Sequence, residues 1–242
     1  MDGTHGWADG TLHALVLARP QAVLVWSRPL ERWQRPELLA LLDAEVLAGL
    51  WRLRREEDRS RRVTARALLA RAGLIAAERG LLPPGPPLRL HEAPSPRGRG
   101  KPVVEPAGWR ASVSHDNAVV AVLARAEVGV DTQGLASAPG VRAIASSFTG
   151  GEQEWLADHP RDTDALRLWT AKEALLKARG TGFFSDPRLS GNDTLRGTGA
   201  QLAHWRPFPD AVAALAVLGP GPVDWPAGWE PFGSRGTGLG SV

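Results

Sequence analysis

One stripe of apolar residues, spaced three, seven and ten positions from its first member, predicts an α-helix that begins at about Asp164. The stripe consists of Leu168, Ala171, Leu175 and Ala178. Gly180 and Gly182 follow it, and glycines at such positions typically end a helix. The same segment carries Trp169, Lys172, Glu173 and Lys177. Because Glu173 and Lys177 lie one turn apart, a simple surface ion pair between them is the plainest interpretation.

The rest of the chain alternates between helical and strand-like patterns. Helical patterns cover residues 36–51, the arginine-rich segment that continues through Leu74, and a helix-rich segment at 141–158. Apolar runs of strand length cover residues 11–26 (one or two strands with a turn at Arg19 and Pro20), 111–114, 118–123, 128–132, 200–206 and 211–218. From Gly219 onward the chain lacks periodicity, which predicts a largely unordered or loosely docked tail.

These patterns predict an α+β protein in which two halves each contribute helices and a small sheet. We expect an N-terminal half over residues 1–125, a C-terminal half over 126–219 and a poorly ordered Gly/Pro-rich tail over 220–242. At 242 residues, the chain is long enough to bury a substantial core.

Composition excludes several classes of protein. The chain has no cysteine, so a disulfide framework and thiolate metal sites are excluded. The first residues lack a basic segment, and the apolar run after them is interrupted at Arg19 and Pro20. Neither a signal peptide nor a membrane span is therefore expected, and we predict a cytoplasmic protein without a membrane partner.

Positive charge is concentrated between residues 52 and 71, where arginines recur along the predicted helix. The formal net charge of the whole chain is only +3, too small to argue for nucleic acid by itself. An arginine cluster of this kind suits phosphate or an acidic partner, and it also suits a solvated helix face. Nucleic-acid binding is an alternative supported by this cluster alone.

Lysine is rare, and its positions are informative. The only lysines are Lys101, Lys172 and Lys177, and arginine supplies the positive charge elsewhere in the chain. A lysine ammonium is a compact point charge, unlike the planar guanidinium of arginine. The three lysines are therefore candidates for sites whose function requires a point charge.

Several familiar site patterns are absent from the sequence. Ser114, His115 and Asp116 contain the residue types of a hydrolase triad, but consecutive residues cannot form the relay. The string ending at Lys101 lacks the first glycine and the hydroxyl residue of a phosphate-binding loop. The six histidines show no zinc spacing, and no dinucleotide fingerprint occurs.

Four short motifs remain: Lys101-Pro102, Ser114-His115, Gly129-Val130-Asp131, and the segment from Trp169 to Lys177 with Lys172 and Glu173. Asp131 at a strand end and Glu173 on a helix could together hold a hard cation such as Mg²⁺ through carboxylate oxygens. Lysines and Arg61 would then neutralise the charge of a substrate phosphate. This combination is typical of phosphoryl-type transfer.

In this order and spacing, the four motifs resemble the 4′-phosphopantetheinyl transferases of the surfactin-synthetase-activating type. The resemblance extends from about Glu57 to Gly182, and the later strand pair fits the end of the family fold. It implies two similar α+β halves related by a pseudo-twofold axis, with coenzyme A in the cleft between them. It also implies transfer of the phosphopantetheine arm to a serine of an apo acyl or peptidyl carrier protein, with release of adenosine 3′,5′-bisphosphate.

By position, the resemblance implies that Asp131 and Glu173 ligate Mg²⁺ and that Glu173 is also the general base. Lys177 would contact the pyrophosphate, and Lys172 would either contact it too or be a solvated helix residue. Arg61, Lys101 and His115 match positions at the adenosine 3′-phosphate end, with Arg59, Arg62 and Arg66 as neighbours of Arg61 that could take its place. Ser114 would shape the strand end, Trp169 would pack in the core, and the segment around Phe148 and Glu152 would face the carrier protein.

Position 133 departs from the family pattern. Bacterial relatives often carry a second acidic residue two positions after the metal aspartate, and this chain has Gln133 there. Residues 131 and 133 share a strand face, so the Gln133 amide oxygen could still reach the metal or a metal-bound water. We expect a working site with one protein charge fewer.

The sequence thus predicts a monomeric, Mg²⁺-dependent phosphopantetheinyl transferase. The main alternative is a non-catalytic module that binds coenzyme A or a carrier protein and is weakened at Gln133. The sequence leaves open whether the carrier serves fatty-acid, polyketide or nonribosomal peptide synthesis.

Overall fold

The computed structural model describes residues 11–42, 44–82, 89–92, 102–105, 108–181 and 200–232. Among these described residues, six strands come from the first half of the chain: His13–Leu17 (β1), Ala22–Ser27 (β2), Arg89–Glu92 (β3), Pro102–Glu105 (β4), Arg110–His115 (β5) and Val119–Ala124 (β6). Four come from the second half: Glu127–Gly134 (β7), Ala200–Trp205 (β8), Ala211–Leu218 (β9) and Glu230–Pro231 (β10). The helices are Pro36–Leu39 (α1), Ala44–Leu50 (α2), Glu56–Glu78 (α3), Ala138–Ala143 (α4), Gly150–Asp158 (α5) and Asp162–Arg179 (α6).

Each half forms its own antiparallel sheet. The strand order is β1-β2-β6-β5-β4-β3 in the first sheet and β10-β8-β9-β7 in the second. Helix α3 packs on strands β2, β5 and β6, and helix α6 packs on β7 and β9. The chain is therefore α+β, with one sheet and one long helix in each half.

Strand β6 shows how the halves stack, because it is buried on both faces. Alternate residues of a strand point to opposite faces. Val119, Ala121 and Leu123 join the core beneath α3, whereas Val120, Val122 and Ala124 join a second core shared with the other sheet. In that shared core they meet Val128 and Val130 of β7 and Leu215 of β9. The layers therefore run helix α3, first sheet, second sheet, helix α6.

The local predictions for the second half are confirmed. Helix α6 buries all four residues of its predicted apolar stripe and ends at Gly180, which adopts the left-handed conformation at φ 72°. The predicted strand pair at 200–206 and 211–218 is the β8–β9 hairpin. In the first half, residues 11–26 form two strands that pair across the predicted turn.

One prediction is wrong, and another concerns a segment that is only partly described. Residues 36–51 form two short helices, α1 and α2, instead of one continuous helix, and Leu38 of α1 and Leu50 of α2 pack into the same small core with Val63. The described part of the predicted tail, residues 220–232, docks on the fold: Trp225 and Trp229 pack against the shared core, and β10 pairs with β8. The remaining tail residues lie outside the described part.

Candidate active site

The backbones of β7 and α6 approach each other very closely at Gly129. A Cβ atom at this position would lie 2.0 Å from the carbonyl oxygen of Ala174 and 2.3 Å from the amide nitrogen of Ala178. Only glycine permits this approach. Asp131 follows two residues later on the same strand face, so the close approach brings it beside the α6 residues Glu173 and Lys177.

Asp131 is buried, and its two carboxylate oxygens differ in their contacts. Oδ1 accepts hydrogen bonds from the Lys177 ammonium at 2.7 Å and from the Ser114 hydroxyl at 2.7 Å. Lys177 also donates to the Val130 carbonyl oxygen at 3.1 Å. Oδ2 is buried and has no hydrogen-bond partner among the described residues. Burying a carboxylate oxygen in this way destabilises the fold unless a bound group forms a contact with it.

Glu173 also has a buried carboxylate oxygen without a hydrogen-bond partner among the described residues. This oxygen is Oε1, which resembles Oδ2 of Asp131 in this respect. Burial and the nearby negative charge of Asp131 raise the pKa of Glu173 to about 7, although the positive charge of Lys177 opposes this. A strongly shifted carboxyl beside a second buried carboxylate is typical of a functional site.

These two orphaned oxygens fit a hard divalent cation. Mg²⁺ prefers oxygen ligands and is commonly held by one or two carboxylates together with substrate phosphates. Within the described residues, no group of three or more His, Cys, Asp or Glu side chains could hold a metal ion alone. The donor set therefore suits a cation whose shell a phosphate substrate completes. Gln133 lies half-buried further along β7, on the strand face that carries Asp131.

Arg61 and His115 lie together where α3 meets the end of β5. The Arg61 guanidinium donates to the backbone oxygen of Asp116 at 2.8 Å and pairs with Asp58 at 3.2 Å. His115 is exposed on one side, yet the crowded protein around its ring lowers its pKa by desolvation, and the charge of Lys177 lowers it further. The structure thus brings Arg61, His115 and Lys177 to one region. Lys101 lies outside the described residues.

Lys172 lies in a buried ion pair, a position that differs from both the predicted pyrophosphate contact and a solvated helix face. Its side chain is only 4% exposed, and its ammonium donates to both carboxylate oxygens of Glu152 at 2.7 and 2.6 Å. Glu152 is also buried and accepts from the backbone amide of Thr149. Phe148 is 1% exposed and packs against Trp169, as a core residue should. In this structure Lys172 joins α5 to α6, and the side chains of Phe148 and Glu152 are both buried.

Ser114 belongs to a ladder of side-chain contacts that the sequence interpretation missed. Strand β7 is an edge strand, and its outward backbone amides need acceptors. The Ser112 hydroxyl accepts from Val130 at 3.1 Å, and the Ser114 hydroxyl accepts from Thr132 at 3.3 Å. The Asp116 Oδ2 atom accepts from Gly134 at 2.8 Å. We call Ser112, Ser114 and Asp116 the β5 ladder. Its signal in the sequence is the alternation of polar residues along a buried strand.

The arginine cluster is largely occupied by contacts within the protein. Arg59 donates to the backbone oxygen of Leu53, Arg62 is buried, and Arg71 pairs with Glu78 at 3.7 Å. The cluster therefore does not form a uniform exposed basic stripe of the kind that a nucleic acid would contact. None of the helices in the described ranges is long and apolar enough to cross a membrane.

Comparison with known proteins identifies the family of the chain. A family model described as the 4′-phosphopantetheinyl transferase superfamily matches residues 127–216, the segment from β7 to β9 that carries Asp131, Glu173 and Lys177. A Synechocystis protein named "Putative 4'-phosphopantetheinyl transferase slr0495" is 30% identical over 207 residues, covering 79% of this chain and 79% of that protein. The chain therefore belongs to the 4′-phosphopantetheinyl transferase superfamily.

Proposed function

We propose that this protein transfers the 4′-phosphopantetheine group of coenzyme A to a serine of an apo acyl or peptidyl carrier protein, with Mg²⁺ as cofactor. The observation that carries the proposal is the pair of buried, unpartnered oxygens on Asp131 and Glu173. Family membership indicates the class of reaction. The two oxygens would provide the metal-binding site that this reaction needs. The four sequence motifs favour the surfactin-synthetase-activating type.

Asp131 and Glu173 would hold the cation, with Gln133 contributing an amide oxygen directly or through a water. When bound, Mg²⁺ would supply positive charge to the pyrophosphate oxygens and so stabilise the leaving bisphosphate. Since these protein ligands carry at most two negative charges, the phosphates of the substrate would complete the shell. This explains how the chain could work without an acidic residue at position 133.

The chain's own residues would orient the substrate and move the proton. Lys177 is fixed by Asp131 and the Val130 carbonyl oxygen, so its ammonium is positioned before a phosphate arrives. Arg61 and His115, with Lys101, would bind the adenosine 3′-phosphate. Glu173 would accept the proton of the carrier serine, directly or through a water, as the serine oxygen bonds to phosphorus and the bond to adenosine 3′,5′-bisphosphate breaks.

The architecture is compatible with this reaction. We propose that the two halves of the protein meet at residues 125 and 126, which lie in the turn from β6 to β7. We propose that the two sheet-and-helix halves are related by a pseudo-twofold axis, that coenzyme A binds in the cleft between them, and that the protein acts as a monomer.

Intact mass spectrometry of the carrier tests this function. The protein is incubated with coenzyme A, Mg²⁺ and apo carrier proteins from fatty-acid, polyketide and peptide synthesis, and a carrier with its acceptor serine replaced by alanine is the control. We expect one phosphopantetheine to be added to at least one apo carrier and none to the control. Binding of coenzyme A without any mass gain on any carrier would contradict the proposal and favour a non-catalytic binding module.

A further inference from the structure

We propose that Asp116 is a positioning residue that fixes the distance between the phosphate-binding side chains and the metal-binding strand. The inference rests on the proposed function, because it concerns how two parts of that site are held together. Asp116 lies next to His115, at the turn that follows β5. Among the described contacts, Asp116 touches neither Asp131 nor Glu173, so it would act through its neighbours.

The side chain of Asp116 holds the end of β7. Its Oδ2 atom accepts from the Gly134 amide at 2.8 Å and from the Ser137 hydroxyl at 2.8 Å. Hydrogen bonds to an ionised acceptor are stronger than those between neutral groups. Of the three residues of the β5 ladder, Asp116 alone carries a charge, and it supports the strand just past Asp131 and Gln133.

The backbone of Asp116 holds the other part of the site. Its carbonyl oxygen accepts from Arg61 Nε at 2.8 Å, and its Oδ1 atom lies 3.9 Å from an Arg61 terminal nitrogen. Its amide donates to the Ala118 carbonyl oxygen at 2.8 Å, which fixes the turn that carries His115. One residue therefore connects Arg61, His115 and the end of the metal strand.

The ion pair between Arg28 and Asp210 also joins the halves, but it does not make this connection. Asn117 donates to the Asp210 carbonyl oxygen at 3.0 Å, and Arg28 pairs with the Asp210 side chain at 2.5 Å. The Arg28 and Asp210 side chains are 43% and 53% exposed, so this ion pair contributes little to stability. It joins the halves without touching Arg61 or Gly134. Asp210→Asn is therefore a matched control that weakens a contact between the halves and keeps the Asp116 connection.

A positioning role makes a specific kinetic prediction. Asp116 is inferred to set the separation between the 3′-phosphate site and the metal site. Removing its side chain should therefore lower kcat/KM more for a substrate that occupies both sites than for one that occupies only the metal site. Coenzyme A has the 3′-phosphate and dephospho-coenzyme A lacks it. A merely structural role would lower transfer from both substrates by the same factor.

The test compares kcat/KM for the two substrates with one carrier protein, in wild type, Asp116→Ala and Asp210→Asn, together with the free energy of unfolding. We expect the preference of the wild type for coenzyme A to fall by about tenfold or more in Asp116→Ala and to change by less than about twofold in Asp210→Asn. If Asp116→Ala does not fold, Asp116→Asn and Ser137→Ala replace it, and each is expected to reduce the preference by a smaller factor.

An unchanged preference in Asp116→Ala, or in both replacement variants, would overturn the inference even if the overall rate fell. An equal loss of preference in Asp210→Asn would also overturn it, because docking of the halves in general would then be responsible. Failure of the proposed function is recognised separately, since the wild type would then modify no carrier with either substrate.

Discussion

The ammonium of Lys177 donates to Oδ1 of Asp131 at 2.7 Å and thereby joins α6 to β7 across 46 positions of sequence. The spacing of Glu173 and Lys177 suggests a pair within the helix, but Lys177 is directed to the strand instead. Asp131 Oδ2 and Glu173 Oε1 are consequently both left without a partner among the described residues. Each of these two adjacent carboxylates therefore has one oxygen available to bind a cation.

The first prediction concerns Gln133. Gln133→Glu should lower the Mg²⁺ concentration that gives half-maximal transfer, because a third carboxylate would add negative charge to the metal-binding face. Turnover at saturating Mg²⁺ should persist. The measurement is a Mg²⁺ titration of the initial rate of carrier modification. Complete loss of transfer in this variant would count against the proposed role of position 133.

The second prediction concerns the buried pair of Lys172 and Glu152. Lys172→Met alone should lower the free energy of unfolding by about 3–5 kcal/mol, because it leaves the Glu152 carboxylate buried without its cation. Adding Glu152→Gln should recover much of this loss. Urea unfolding of the two single variants and the double variant measures the effect.

The same variants separate a structural role of Lys172 from contact with the pyrophosphate. In the folded double variant, KM for coenzyme A should stay within about threefold of wild type. An increase in KM of tenfold or more, with stability restored, would show that the ammonium of Lys172 contacts the substrate after all.

The third prediction concerns Gly129. Gly129→Ala should cost about 1–3 kcal/mol of stability or more, since its Cβ would overlap the backbone of α6. It should also lower transfer, because β7 and α6 must separate. Gly140→Ala is the control, as a Cβ at this helical position meets no atom within 4 Å. Equal stability of the two variants would contradict the described approach of β7 to α6.

The fourth prediction concerns the stability of the protein in acid. His204 is buried, and desolvation together with the charge of Arg167 lowers its pKa to about 3. Between the ordinary histidine pKa and this value the unfolded chain binds a proton that the folded chain excludes. The free energy of unfolding should therefore fall as the pH drops, by at most about 1.4 kcal/mol per pH unit.

His204→Leu should remove this part of the pH dependence while leaving the part due to carboxylates. The measurement is urea unfolding of both proteins at several pH values below neutrality. Parallel stability curves for wild type and His204→Leu across that range would show that His204 does not contribute.

Local features of the fold were predictable from the sequence. The apolar stripe of α6 and its glycine end depend on residues within one helix, so periodicity is sufficient to identify them. The strand pair β8–β9 follows from two apolar runs separated by a short turn. Asp131 and Glu173 were predicted together because the motif order pointed to one site, and the close approach at Gly129 explains their proximity.

Partners that are distant in sequence were not predictable in this way. Nothing within α6 indicates that Lys172 turns toward Glu152 while Lys177, five residues later, turns toward Asp131. The β5 ladder depends on an edge strand of the second sheet lying against a strand of the first. The docking of Trp225 and Trp229 was not predictable either, because these side chains find apolar surface only after both sheets have formed.

The central claim is that Asp131 and Glu173 hold Mg²⁺ for transfer to the carrier, and the most direct test is the initial rate of carrier modification with Mg²⁺ and with a chelator. Asp131→Asn and Glu173→Gln should each lower the rate at saturating Mg²⁺ by at least about 100-fold, and the chelator should abolish wild-type transfer. The surface variant Asp158→Asn should match wild type. Rates within about threefold of wild type in both carboxylate variants, or unchanged transfer in the chelator, would contradict the account.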